Sequence, residues 1–171
     1  MKTLIFPGQG SQSVGMGQDL YKNFNLVKKI FKEADEKLNY PISKIILEGP
    51  ESDLKLTKNT QPAILTISYS IFKLISEEFN IEMKDIKYFA GHSLGEYSAL
   101  VSLKSLNFSD AVYLLHERGK SMQESVPDGK GSMLAVMGVK IEDLEKYIKE
   151  IGSNKGVCEI ANDNSDNQII L

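Results

Sequence analysis

The chain has one cysteine, Cys158, in 171 residues. It can therefore form no internal disulfide and no cysteine-based metal cluster, and its lone thiol is expected as a small buried residue. Histidine is nearly as scarce: His92 and His116 are the two. An excess of charge of one sign is also missing. With 20 basic and 23 acidic residues the formal charge is −3, so no basic stripe offers itself to nucleic acid or to anionic lipid. No apolar run approaches the ~20 residues that cross a bilayer, and the apolar stretch in "MKTLIFPGQG" is too short for a signal peptide. What is left is the class of cytoplasmic enzymes and binding modules. A 42% hydrophobic content gives the chain enough apolar residues for a core of ordinary domain size.

Periodicity supplies the elements. "TLIF" reads as a short buried strand, followed by the glycine-rich turn "PGQGSQSVGMG". Leu20, Phe24, Val27, Phe31, Ala34 and Leu38 then recur at three and four residues, which predicts one continuous amphipathic helix. A connection with short helical pieces leads to "NTQPAILTISYSIFKLISEEF", read as a buried helix with Thr60 as its cap and Pro62 in its first turn. "IKYFA" is a second strand, running into "GHSLG" and a helix from Glu96; another helix is capped by Ser109 and runs to about Ser125. Composition changes at "VPDGKGS". Beyond it come the strand "MLAVMGV", a helix with Ile141, Leu144, Ile148 and Ile151 on one stripe, and the strands "GVCEIA" and "NQIIL". Strand, helix, strand, strand is half of the split βαβ pattern. The expected division is residues 1–126 and residues 127–171, in a chain expected to be part of a longer one.

Gly91-His92-Ser93-Leu94-Gly95 carries the sharpest chemical signal. A serine hydroxyl attacks only when it is exposed, oriented and deprotonated. A tight strand-to-helix turn does the exposing, and Gly91 and Gly95 flank it because side chains there would clash. At typical glycine and serine frequencies a chain this long matches the pattern by chance about one time in twenty; the strand before it and the helix after it make it specific. An oxyanion hole on such an elbow uses the N–H after the nucleophile, here Leu94, and one from another strand-to-helix loop. The turn after the first strand offers Gln12. That turn lacks the third glycine of a dinucleotide site and the Gly-Lys-Ser/Thr of a phosphate loop.

Arg118 stands out by its company. In "SDAVYLLHERGKSMQESV" it shares a helical stripe with Ala111, Leu114, Leu115 and Met122. A guanidinium on an apolar face needs an anion: a ligand carboxylate, an internal Asp or Glu, or escape to the surface. Gly119 beside it suggests close approach of another backbone. His92 adjoins Ser93 on a turn where consecutive side chains diverge, and His116 faces away from Arg118 on its helix. Neither is expected to be the base, and no metal-ligand spacing occurs.

Together "FPGQGSQSVGMG", "NTQPA", "GHSLGEYSAL", "RGKSMQESVPDGKGSM" and "ANDNSDNQIIL" make the chain resemble the malonyl-CoA:acyl carrier protein transacylases of bacterial fatty acid synthesis over essentially its whole length. The resemblance implies an α/β fold: an α/β-hydrolase-like core with a nucleophile elbow and part of an inserted ferredoxin-like subdomain. It implies that Ser93 takes malonyl from coenzyme A as an ester and passes it to the phosphopantetheine thiol of acyl carrier protein. Gln12 and Leu94 would form the oxyanion hole, and Arg118 would hold the malonyl carboxylate. It implies no cofactor, no metal, no nucleic-acid or membrane partner, and a monomer at full length. The family's catalytic histidine would lie a few tens of residues beyond the position of Leu171. The alternative is a non-turnover module that binds acyl carrier protein or coenzyme A thioesters.

Overall fold

The fold is described from a computed structural model, which covers residues 2–79, 83–126, 130–151 and 156–171. It divides into two compact units, Met1–Ser125 and Val126–Leu171.

In the first unit, β1 (Lys2–Phe6) pairs in parallel with β2 (Ile86–Gly91), Phe6 opposite Gly91. Parallel neighbours require a long crossover, and the regular elements described in it are all helices. It comprises α1 (Gln18–Asn23), α2 (Asn25–Leu38), α3 (Ile42–Glu48), α4 (Glu51–Lys55) and α5 (Thr57–Lys73). A π turn, Leu74–Glu78, and a 3₁₀ turn, Met83–Asp85, complete the crossover before β2. After β2 come α6 (Gly95–Ser102) and α7 (Phe108–Glu124). α5 is the central element, packed against α2, α6 and α7. Its residues from Asn59 to Thr66 are all buried, the polar Asn59, Thr60, Gln61 and Thr66 included. Val27 and Phe31 of α2, Ile42 and Ile46 of α3, and Leu115 of α7 join it in the core.

Three helical expectations are corrected. The single helix through Leu20 and Leu38 is two helices, broken at Phe24, whose backbone is extended (φ −121°, ψ 119°). The apolar residues stay on one side across this one-residue break, so their period does not register it. α5 starts a turn earlier than expected, with Leu56 in the cap position, so Pro62 lies in its second turn. Thr60 is no cap; its buried hydroxyl donates to the Leu54 carbonyl at 2.6 Å. The cap position of α7 is Asn107 rather than Ser109.

In the second unit, β3 (Ala135–Met137), α8 (Ile141–Ile151), β4 (Asn162–Ser165) and β5 (Gln168–Ile170) follow in order. β5 lies between β3 and β4 and is antiparallel to both, the arrangement of a split βαβ unit. Among the described residues, Leu144 and Ile169 are its buried apolar side chains. The expected strand "GVCEIA" does not form. Val157 is 90% exposed and the strand starts at Asn162, inside what reads as a turn. Cys158 is exposed rather than buried.

Candidate active site

β2 ends at Gly91 and α6 starts at Gly95, so the chain passes from strand to helix through His92, Ser93 and Leu94. Ser93 takes φ 53°, in the left-handed region that costs a non-glycine residue about 1–3 kcal/mol. Backbone bonds hold it there. The His92 N–H donates to Phe6 O at 3.2 Å, the Gly95 N–H to His92 O at 2.9 Å, and the Glu96 N–H to Ser93 O at 3.1 Å. Both flanking glycines are required by space. A Cβ on Gly91 would lie 1.9 Å from the Gly95 carbonyl carbon, and one on Gly95 would lie 2.5 Å from Phe6 O. The strained turn splits its residues: Leu94 is fully buried in the core, while Ser93 is exposed.

The turn after β1 runs alongside. A Cβ on Gly8 would meet His92 Nδ1 at 2.4 Å and His92 O at 2.9 Å, so this turn and the elbow touch backbone to backbone. The Ser11 hydroxyl donates to Gly8 O at 2.8 Å, and the Gln12 side-chain oxygen accepts the Gly10 N–H at 2.8 Å. These bonds fix the course of the turn. Among the described residues neither the Gln12 N–H nor the Leu94 N–H has an acceptor. Backbone donors of this kind suit a developing oxyanion.

Arg118 reaches the same place from α7. Its Nη2 donates to Ser93 Oγ at 3.0 Å and its Nη1 to Gln61 Oε1 at 2.7 Å. The stripe that placed it on a buried face is corrected. Phe108, Ala111, Val112, Leu115 and Gly119 form the buried face of α7, whereas Leu114 is 45% and Met122 48% exposed. Arg118 sits at the margin between the two faces, half-buried, with its head at the elbow. Of the alternatives left open by the sequence, an internal acid is not the one found: no Asp or Glu pairs with Arg118 among the described residues. Its charge is held by neutral partners.

His116 has a structural task. Pro62 has no N–H to give the Lys58 carbonyl four residues before it, and His116 Nδ1 lies 3.0 Å from that oxygen. A carbonyl can only accept, so Nδ1 carries the proton. Tyr40 Oη lies 3.3 Å from the same nitrogen and donates to Asn59 Oδ1 at 2.9 Å. Burial first, then the Asp35 carboxylate, pushes the Tyr40 phenol well above the usual tyrosine range. His116 is thus committed to α5, while the His92 ring lies across Gly8. Gln61 is the site residue that the sequence reading passed over. Its signal was present: an amide inside an apolar helix run has to find partners.

Among the described residues no group of His, Cys, Asp and Glu could hold a metal ion, and no helix is long and apolar enough to cross a membrane.

The site joins a strained serine on a strand-to-helix elbow to a guanidinium that has no acidic partner among the described residues, and the chain belongs to the acyl transferase domain family, whose model matches residues 3–166. Within that family it is similar to the malonyl CoA-acyl carrier protein transacylase of Bacillus subtilis strain 168, at 42% identity over 167 residues. It is 40% identical over 167 residues to the enzyme of that name in Escherichia coli K12. Each match takes in 98% of this chain, with 51% of the first relative and 53% of the second. Among solved structures it is similar to the acyl-carrier-protein-S-malonyltransferase of Bartonella henselae, with a TM-score of 0.90, 42% identity, and coverage of 98% of this chain and 53% of that one. It is also similar to a malonyl-transacylase solved in complex with a type II PKS acyl-carrier protein, with a TM-score of 0.89, 39% identity, and coverage of 98% and 53%. The chain spans about half the length of the curated relatives it matches.

Proposed function

We propose that this chain carries the nucleophile half of a malonyl-CoA:acyl carrier protein transacylase, on an α/β-hydrolase-like core with a ferredoxin-like subdomain begun by β3, α8, β4 and β5. Ser93 Oγ attacks the thioester carbonyl of malonyl-CoA. Its proton leaves to a base, the C–S bond breaks, and coenzyme A departs as the thiol once that proton is returned. The Gln12 and Leu94 N–H groups stabilise the oxyanion of the tetrahedral intermediate. In the second half-reaction the phosphopantetheine thiol of acyl carrier protein attacks the malonyl-Ser93 ester and Ser93 recovers its proton. Arg118 binds the free carboxylate of the acyl group throughout, through the planar fork that suits a carboxylate. The base is neither of the two histidines of this chain: His116 is bound to the Lys58 carbonyl and the His92 ring lies on Gly8.

The observation that carries this reading is the 3.0 Å contact between Arg118 Nη2 and Ser93 Oγ, made by a guanidinium without an acidic partner among the described residues. The contact supports the reading because a dicarboxylic acyl group esterified on Ser93 would carry its second carboxylate within reach of this guanidinium. The test is a chase. The intact polypeptide, as its organism makes it, is incubated with malonyl-CoA, and the ester is mapped to a peptide. Malonyl on Ser93 that disappears on adding pantetheinylated acyl carrier protein is the expected result; malonyl on another residue, or an ester that the carrier protein leaves in place, refutes it.

A further inference from the structure

Gln61 is fully buried, yet its amide is at work on both sides. Its Nε2 donates to Met122 Sδ at 3.2 Å, and its Oε1 accepts from Arg118 Nη1 at 2.7 Å. The thioether of Met122 accepts weakly and a guanidinium only donates, so the amide has one sensible orientation, with its oxygen toward Arg118. An amide that swung away here would leave buried polar atoms without partners, which keeps it in place. One edge of the Arg118 fork is thereby pinned, and the other faces Ser93 Oγ.

The helices carrying this pair are locked in register at a single residue, Lys58, through both of its backbone polar groups. The Lys58 carbonyl meets His116 Nδ1 at 3.0 Å, and the Lys58 N–H donates to Gln123 Oε1 at 3.0 Å. Between these two α7 residues, Gly119 allows direct backbone contact; a Cβ there would lie 2.5 Å from Thr57 O and 2.6 Å from Lys58 Cα. With the Lys58 backbone clasped by α7, Gln61 one turn on in α5 and Arg118 on α7 meet at a fixed distance.

We infer that Gln61 is a specificity-setting positioning residue: a neutral acceptor that aims Arg118 at the acyl group on Ser93 while leaving its charge for the substrate's own carboxylate. Neutrality is the point of the choice. A glutamate at this place would make the same bond to Nη1 but would also form a buried ion pair with Arg118, and an incoming carboxylate would meet a cation already neutralised. A leucine would leave the charge and lose the aim. The inference rests on the malonyl-transfer reading and adds the residue through which its acyl selectivity is set.

The experiment is a competition in one tube. The intact polypeptide is given equal malonyl-CoA and acetyl-CoA, and the two esters on Ser93 are counted by mass spectrometry. The ratio does not depend on how much of a variant folds. Gln61→Leu is expected to lower the malonyl-to-acetyl ratio about tenfold to a hundredfold, the value of a hydrogen bond to a charged group. Gln61→Glu is expected to lower it at least as far, with the loss in malonyl KM and acetyl loading close to wild type. Ratios within about twofold of wild type in both variants, or equal losses for the two acyl groups, make Gln61 a packing residue and overturn the inference. Absence of malonyl loading in the wild type is a separate outcome: it refutes the malonyl-transfer reading itself, and this inference with it.

Discussion

The guanidinium of Arg118 donates to the hydroxyl of Ser93 across 3.0 Å, from residues 25 apart in the chain and on different elements. The serine reaches this contact through backbone strain and the arginine through helix register. Ser93 is thrown outward by its left-handed φ of 53°, held by bonds from His92, Gly95 and Glu96. Arg118 is brought in by the clasp of α7 on the Lys58 backbone. The two halves of the candidate site can therefore be perturbed separately.

Gly119 is the place to disturb the register alone. A methyl group at this position meets backbone atoms of Thr57 and Lys58 inside 2.7 Å, and backbone cannot step aside as a flexible side chain can. Gly119→Ala should cost about 1–3 kcal/mol in urea denaturation, as overpacking does. It should also reduce malonyl loading beyond what the lost folded fraction explains. An unchanged unfolding midpoint together with full loading would mean that α5 and α7 are not held as described.

Tyr40 links this clasp to alkaline pH. In an unfolded chain a tyrosine ionises near pH 10, whereas burial and the Asp35 carboxylate raise the value in the fold. The folded state holds the proton more tightly. The phenol's contribution to stability is therefore complete below about pH 10 and is lost as pH rises through the raised folded value. Wild type should exceed Tyr40→Phe in stability by a constant margin through neutral and mildly alkaline pH, because the phenol donates to Asn59. That margin should narrow above about pH 10. Denaturant titrations across the range check it; a margin that stays constant into strong alkali contradicts the assignment.

Much of this was legible in the sequence, and what was not has physical causes. The elbow could be read because its constraints are local: Gly91 and Gly95 are set by atoms within a few residues of Ser93 or on the adjoining strand. The alternating four- and three-residue spacing of Val27, Phe31 and Ala34 points to α2, but not to the break at Phe24, which leaves the apolar side unchanged. Thr60 looked like a cap because threonine suits a cap position and Pro62 suits the first turn after it; its hydroxyl was needed instead inside the fold, on the Leu54 carbonyl. Arg118 was singled out by a stripe that proved to be the edge of the buried face, since periodicity gives direction around a helix more reliably than depth. For Gln61 the sequence shows only a buried amide in need of partners; that these are Met122 and Arg118 is set by the packing of α5 on α7. The strand at Asn162–Ser165 was hidden behind turn-forming residues, where pairing with β5 overrides local preference.

The measurement that bears most directly on the central claim is acyl competition on Ser93 in wild type and Arg118→Ala. The intact polypeptide is offered malonyl-CoA and acetyl-CoA together and the esters are counted on the elbow peptide. Malonyl on Ser93 is expected in the wild type. In Arg118→Ala malonyl loading should fall about a hundredfold, the scale of a lost charge-assisted contact, with acetyl loading changed little. Loading of both acyl groups reduced alike, or malonyl loading that survives the substitution, would show that Arg118 does not read the carboxylate and would contradict the account.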